Sequence, residues 1–399
     1  AHQRVAFRQA WRAMRDNFYD PALNNRDWGA VKKKYEGMAA RSADKYAFSR
    51  AVSLMLGELN ASHLGFRRAS STLYQPPGWR EQTAHLGLIF EGSHDAEGLK
   101  VSRVLSGSPA DRAESRIVPG EVILQIDGEE VGVATDMTTV LNGLPARDIL
   151  LKVQEGGEEG QLREVALRPI SYTAARSLLA ADLIEETRRQ VDELSGGKLG
   201  YLNVARMMWD EFQKFEREIY AQGVGKDGLI IDVRNNGGGF TADHLLTVLI
   251  APSHARTVPR GGGPGYPGDR RVYTSWGKPI VVLCNQNSFS NAEIFSHAIK
   301  NLGRGKLVGV PTAGGVISTG SKSIMDVGSI RMPFRGWFLP DGEDMERNGA
   351  VPHHVLWPLP GELSAGKDRQ LEKAVEVLLS DVELDRKRAK VKFKPASAR

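Results

Sequence analysis

Two short runs do most to set the architecture: Gly228-Leu-Ile-Ile-Asp-Val-Arg234 and Pro279-Ile-Val-Val-Leu-Cys284, each an apolar segment ending in a polar turn before a helical pattern. Runs of this kind read as buried strands of an α/β layer. Leu199-Gly-Tyr-Leu-Asn-Val204 precedes them as a third strand, and residues 210–221 carry helical periodicity. A further helix is expected through Leu245, Leu246 and Leu249, and another from Asn291. Strands alternating with helices predict parallel crossover units over residues 197–385.

The rest of the chain divides by texture. Residues 1–70 read as a helical bundle, with Val5, Phe7, Trp11 and Met14 at helical spacing, then Trp28, Val31 and Tyr35, then Phe48, Val52, Met55 and Leu59. This segment delivers Glu58-Leu-Asn-Ala-Ser-His63 just beyond a helix end. Residues 80–170 turn to short β-like runs broken by glycine, including 86–90, 98–105 and the strand-turn-strand of 121–131. Their order resembles a PDZ domain, which implies that a peptide adds a strand and that backbone amides of the Leu86-Gly87-Leu88 loop hold its terminal carboxylate. Residues 171–196 form a charged helical linker.

At 399 residues the chain is expected to hold two or three domains. Its net charge of +5 misleads, because residues 386–399 hold seven Lys or Arg and no acid, leaving −2 (5 − 7) elsewhere. That basic tail reads as a solvated terminus, and no aromatic-studded basic surface points to nucleic acid. No apolar run approaches the ~18 residues of a membrane span. Cys284, the single cysteine, excludes an internal disulfide and reads as a buried strand residue. Absence of disulfides fits a cytoplasmic setting and is also compatible with export. The opening residues resemble neither a signal peptide nor a natural start, so the chain reads as a piece of something longer.

Three features carry chemistry. Ser290 falls at a helix N-terminus beyond a buried strand, where N–H groups favour a developing negative charge and the Asn291 N–H could serve as an oxyanion donor. An N-cap serine looks the same. Gly237-Gly-Gly239 follows the other strand, where a backbone can approach a ligand closely; a tight turn or a phosphate loop are its plainer readings. His63 could be a surface cap, or a base whose far nitrogen meets Ser62.

Taken in order, these residues resemble the tricorn-like serine proteases within the carboxyl-terminal processing peptidases. The resemblance rests on Phe18-Tyr19-Asp20-Pro21 with Trp28, Glu58-Leu-Asn-x-Ser-His63, Asp232-x-Arg-x-Asn-Gly-Gly-Gly-Phe240 and the Ser290 turn. It continues through Thr312-x-Gly-Gly-Val316, Glu346-x-x-Gly349-x-x-Pro352 and Ser364-x-Gly-Lys-Asp368. It implies a multidomain α+β chain: helical bundle, PDZ β-sandwich or barrel, and an α/β sandwich with crotonase-like crossover units. It also implies a Ser290–His63–Ser62–Glu346 tetrad, with an oxyanion hole of Gly239, Asn291 and Gly238. Thr257, before Pro259-Arg260, takes the place of a substrate-pocket acid.

The implied function is endopeptidase cleavage of oligopeptides or unfolded polypeptides through an acyl-enzyme, without metal or organic cofactor, in a homo-oligomer that could be a hexamer. A Ser-Lys dyad form of the family is disfavoured, since Gly315 stands near the place of its lysine and Lys300 comes too soon. A ligand carrier on the same fold and a PDZ-based peptide adaptor are the alternatives from other classes.

Overall fold

The computed structural model describes residues 2–69, 82–94, 96–143, 147–156, 160–262, 265–267, 274–388, 393–394 and 396–398. Two compact units divide the chain: Ala1–Thr72 with Gln190–Arg399, and Leu73–Arg189.

The first unit opens with α1 (His2–Asn17), α2 (Trp28–Ala40) and α3 (Lys45–Gly57), followed by β1 (Gly65–Arg68). Asp27 and Asp44 cap α2 and α3, each side chain accepting from an N–H in the first turn. Phe7, Met14, Trp28, Tyr35, Val52 and Met55 close the helical core, which also contains Ile324 and Ile330 from far along the chain. The helical segment therefore shares its core with residues far along the chain.

The second unit is an antiparallel β structure. Its elements are β2 (Ala84–His85), β3 (Leu88–Phe90), β4 (Leu99–Val104), β5 (Val122–Ile126), β6 (Glu129–Glu130), α4 (Met137–Leu141), β7 (Ile149–Gln154), β8 (Leu162–Leu167) and β9 (Ile170–Ser171). Strand order is β3-β4-β5-β7-β8, with β6 on β5 and a separate β2–β9 pair. Leu88, Val101, Ile123, Leu151 and Val153 fill its core. The division from the first unit falls within α5 (Tyr172–Ser195), the helix expected as a linker.

The first unit then resumes with β10 (Leu199–Asn203), α6 (Trp209–Gly223), β11 (Gly228–Asp232), α7 (Ala242–Ile250), β12 (Ile280–Cys284), α8 (Asn291–Asn301) and β13 (Lys306–Gly309). After these come β14 (Ile317–Ile324), β15 (Gly328–Gly336), β16 (His354–Val355) and α9 (Arg369–Lys387). Strands β10-β11-β12-β13-β16 form one parallel sheet in that order. Leu229, Ile231, Ile280, Val282 and Leu307 share a core with Phe215, Leu245 and Phe295 of α6, α7 and α8. The alternate residues Ile230, Val281, Leu283 and Val308 are equally buried, and α9 packs on β11, β12 and β13. Burial on both faces explains why these strands show no polar alternation.

Outside that sheet, β14 and β15 form a hairpin, and β15 pairs with β1, Gly65 opposite Arg331. This three-stranded antiparallel sheet ties the chain after α3 to the segment that follows the parallel strands.

Candidate active site

The turns that follow β11 and β12 lie side by side and are knitted together. The Phe289 N–H donates to Asn236 O at 2.9 Å, the Ser288 hydroxyl to Val233 O at 2.8 Å, and the Asn235 N–H to Asn285 Oδ1 at 2.9 Å. Below them Asp232, buried, holds Arg234 and accepts the Tyr201 hydroxyl at 2.8 Å, while Arg234 reaches Asp368 at the cap of α9 at 2.7 Å. The Asp232-x-Arg motif and Asp368 are thus halves of one buried brace.

Ser290 sits at the mouth of α8 with φ 59° and ψ −119°, a backbone setting that costs a non-glycine residue. Its Oγ lies 3.0 Å from His63 Nε2. Nδ1 of that ring is 2.6 Å from Ser62 Oγ, and the Ser62 hydroxyl donates to Glu346 Oε2 at 2.8 Å. Glu346 also accepts the Ser62 N–H at 2.6 Å and the Val316 N–H at 2.9 Å. Upstream, the Tyr19 hydroxyl donates to Asp344, whose other oxygen accepts the Glu346 N–H.

Proton logic settles the tautomer along this chain. Glu346 as carboxylate only accepts, so the single Ser62 proton points to it. His63 Nδ1 must then carry hydrogen and donate to Ser62, which leaves Nε2 as the acceptor facing the Ser290 hydroxyl. The His63 ring is buried and stacks on Phe289 with centroids 4.7 Å apart. Burial, and then the charge of Arg331, lower its pKa to about 4.

Two amides beside Ser290, the N–H groups of Gly239 and Asn291, meet no protein acceptor among the described residues. The Asn291 side chain is engaged elsewhere, its Oδ1 accepting the Ala242 N–H at the start of α7. Gly238 departs from the expectation of an oxyanion donor: its N–H donates to Asn236 Oδ1 at 2.9 Å. Its task is close approach, since a Cβ there would lie 2.7 Å from both Phe289 O and Ser290 Cβ.

A cleft of about 300 Å³ opens over Ser290, lined by His63, Gly239, Phe240, Asp243, Arg331 and Trp337 among others. Thr257 is not part of that lining; it is exposed and its hydroxyl accepts the Tyr266 N–H at 2.7 Å. The acid at the cleft is Asp243. A lysine at Gly315 would force the Phe289 ring that supports His63 to move, because a Cβ there would lie 2.1 Å from it. Lys300 is exposed and donates to Val351 O at 2.9 Å.

In the second unit, Leu86 and Leu88 point into the core. The Gly87 N–H donates to His85 Nδ1 at 2.9 Å, so that amide already has an acceptor. Strand β3 is an edge strand among the described residues.

Sequence reasoning missed Glu293, fully buried in the first turn of α8 and accepting four hydrogen bonds around the Ser290 turn. Only its place three residues after Ser290, a capping-box acid, signals it. Phe289, Asp243 and Arg331 had no local signal.

Known proteins share this arrangement of segments. Residues 198–356 match the model of peptidase family S41, and residues 1–57 match the tricorn protease C1 domain. Tricorn protease homolog 1 of Streptomyces coelicolor is 29% identical over 96% of this chain and 36% of its own length. The tricorn protease of Thermoplasma acidophilum is 27% identical over 94% of this chain and 34% of its own. A crystal structure of the tricorn protease superimposes with a TM-score of 0.78 at 26% identity, covering 96% of this chain and 37% of that one. The chain spans about a third of the length of these curated relatives.

Proposed function

We propose that the chain, which matches the tricorn protease C1 domain over residues 1–57 and peptidase family S41 over residues 198–356, is a tricorn-like serine peptidase that cleaves peptide bonds within oligopeptides or unfolded polypeptides through an acyl-enzyme on Ser290. The observation that carries this reading is Ser290 Oγ at 3.0 Å from an accepting His63 Nε2, with the free Gly239 and Asn291 amides beside it.

In this reaction Ser290 Oγ attacks the scissile carbonyl while His63 takes its proton, later giving it to the departing amine. Ser62 and Glu346 keep Nδ1 protonated and disperse the charge of the imidazolium. The Gly239 and Asn291 amides receive the oxyanion. Water then repeats the sequence on the acyl-enzyme. Residues 316–319 line the cleft consecutively, and β14 is an edge strand among the described residues, which suits an extended substrate pairing by backbone. A peptide tail adding to β3 and an assembly of several copies belong to the same proposal.

The experiment is fluorophosphonate labelling of the folded chain, with the adduct located by mass spectrometry and hydrolysis followed on unstructured peptides. An adduct on Ser290 with peptide release is expected. A folded chain that neither labels nor cleaves sinks the reading.

Two further results are expected. Ser62→Ala and Glu346→Gln each free the imidazole tautomer, so kcat should fall roughly 10²–10³-fold with KM little changed; an unchanged kcat would remove both from the mechanism. For pH, His63 must be neutral to act. With its pKa near 4, kcat/KM should rise through about pH 4 and stay level above it. The folded value lies below the ordinary 6.5, so the stability this ring contributes is full above about pH 6.5 and is lost as pH falls toward 4. A kcat/KM limb at 6.5 or higher would show an unperturbed ring.

A further inference from the structure

Arg331 has no part in the reaction above, yet it faces it. It stands on β15 opposite Gly65, two residues past His63, and lines the cleft over Ser290. Among the described residues its side chain makes one hydrogen bond, from Nε to the Thr319 hydroxyl at 3.2 Å, within the β14–β15 hairpin. No carboxylate pairs with it there; partial burial is what shifts its own pKa, and downward. The side chain is exposed to solvent in the cleft, held at Nε, and among the described residues its terminal nitrogens meet no acceptor.

Its side of the cleft follows from His63. Arg331 stands opposite Gly65 on the strand that follows His63 directly, whereas the cleft's acid, Asp243, starts α7 beyond the Gly239-Phe240 loop. In acyl transfer the histidine protonates the departing amine, so the leaving fragment lies on the histidine side. A fixed arginine there matches a carboxylate, which it can bind through two parallel N–H groups.

We propose that Arg331 is a specificity-determining residue that selects substrates carrying a carboxylate on the first residue of the leaving fragment. The inference rests on the peptidase reading and deepens it. The carboxylate has two sources, an Asp or Glu side chain at that residue or its own free terminus. A bound carboxylate would cancel the Arg331 charge beside His63, leaving the ring more basic in the complex than in the free enzyme. The groups facing that ring are Ser62, Ser290, Phe289 and Arg331, with Glu346 behind Ser62.

The test uses internally quenched peptides alike except at the first leaving residue, which is Asp, Glu, Ala or Lys within an amidated peptide. A second series ends at that residue as Ala, with a free or an amidated terminus. The full chain and its Arg331→Gln and Arg331→Glu variants are compared, with fluorophosphonate labelling run in parallel. In the wild type, kcat/KM for a carboxylate should exceed that for Ala roughly tenfold, with Lys below Ala. Arg331→Gln should flatten that order, and Arg331→Glu should turn it toward Lys. The series that shows the preference names the source. With acidic peptides the kcat limb should lie at higher pH than the kcat/KM limb, a displacement that Arg331→Gln removes. A labelled enzyme with no acidic preference, or one that keeps its preference in Arg331→Gln, overturns this inference and leaves the peptidase reading standing. A folded wild type that neither labels nor cleaves overturns both.

Discussion

Ser290→Ala should lower kcat by a factor on the order of 10⁶ and abolish fluorophosphonate labelling; His63→Ala should fall about as far, and the double variant no further. The three results belong together because nucleophile and base act as one unit. Without His63 the Ser290 hydroxyl keeps its proton, and without Ser290 there is nothing for His63 to activate. A residual rate of roughly 10³ over water should survive from the free Gly239 and Asn291 amides. Stability separates the chemistry from the backbone. At φ 59° and ψ −119° a serine and an alanine bear the same strain, so Ser290→Ala should leave Tm almost unchanged. Ser290→Gly relieves about 1–3 kcal/mol of strain against ~0.5–1 kcal/mol of added chain entropy, so the inactive glycine variant should melt higher by a few degrees. Labelling that persists in Ser290→Ala would move the nucleophile elsewhere.

How much of this was legible follows from where each signal lies along the chain. Strands β10, β11 and β12 could be read because burial on both faces removes polar residues over consecutive positions, a local signature. The helical stripes of residues 2–57 were readable in the same way. The β14–β15 hairpin was not. Ser318-Thr-Gly-Ser-Lys-Ser323 looks like a solvated loop, yet the hairpin lends Ile324 and Ile330 to the helical core and Arg331 to the cleft. The core contacts join the helices of residues 2–57 to Ile324 and Ile330 near the other end of the chain, beyond any periodicity. Three adjacent glycines looked alike until Asn236 took the Gly238 amide. Thr257 was placed by its offset from a Pro-Arg pair, and an offset along an exposed loop says nothing about where the hydroxyl points. Ser62, His63, Ser290 and Glu346 could be named only through resemblance, since two of their three links span more than 220 residues.

Glu293→Gln should destabilise the chain by about 3–5 kcal/mol. The carboxylate is fully buried at the third position of α8, near the positive end of that helix. Oε1 accepts the Ser290 N–H at 3.0 Å and the Gly315 N–H at 2.8 Å. Oε2 accepts the Thr312 hydroxyl at 2.6 Å and the Gly314 N–H at 2.5 Å. An amide keeps one accepting oxygen and turns an NH₂ toward the other two donors, which leaves those donors unpaired and sets donor against donor. Each unpaired group costs about 1–3 kcal/mol, so two of them alone reach the expected range. Activity should suffer as well, in protein that is still folded. Residues 312–316 lead from Glu293 to the Val316 N–H on Glu346, and the Ser290 N–H fixes the nucleophile's backbone. The labelling rate, measured in the cold where the variant stays folded, should therefore drop along with the urea midpoint. Glu36→Gln, which breaks only the exposed pair with Arg8, should stay within about 0.5 kcal/mol of wild type. If Glu293→Gln unfolds at the wild-type midpoint, the four donors must find other acceptors, and the carboxylate is not what joins the nucleophile turn to the 312–316 loop.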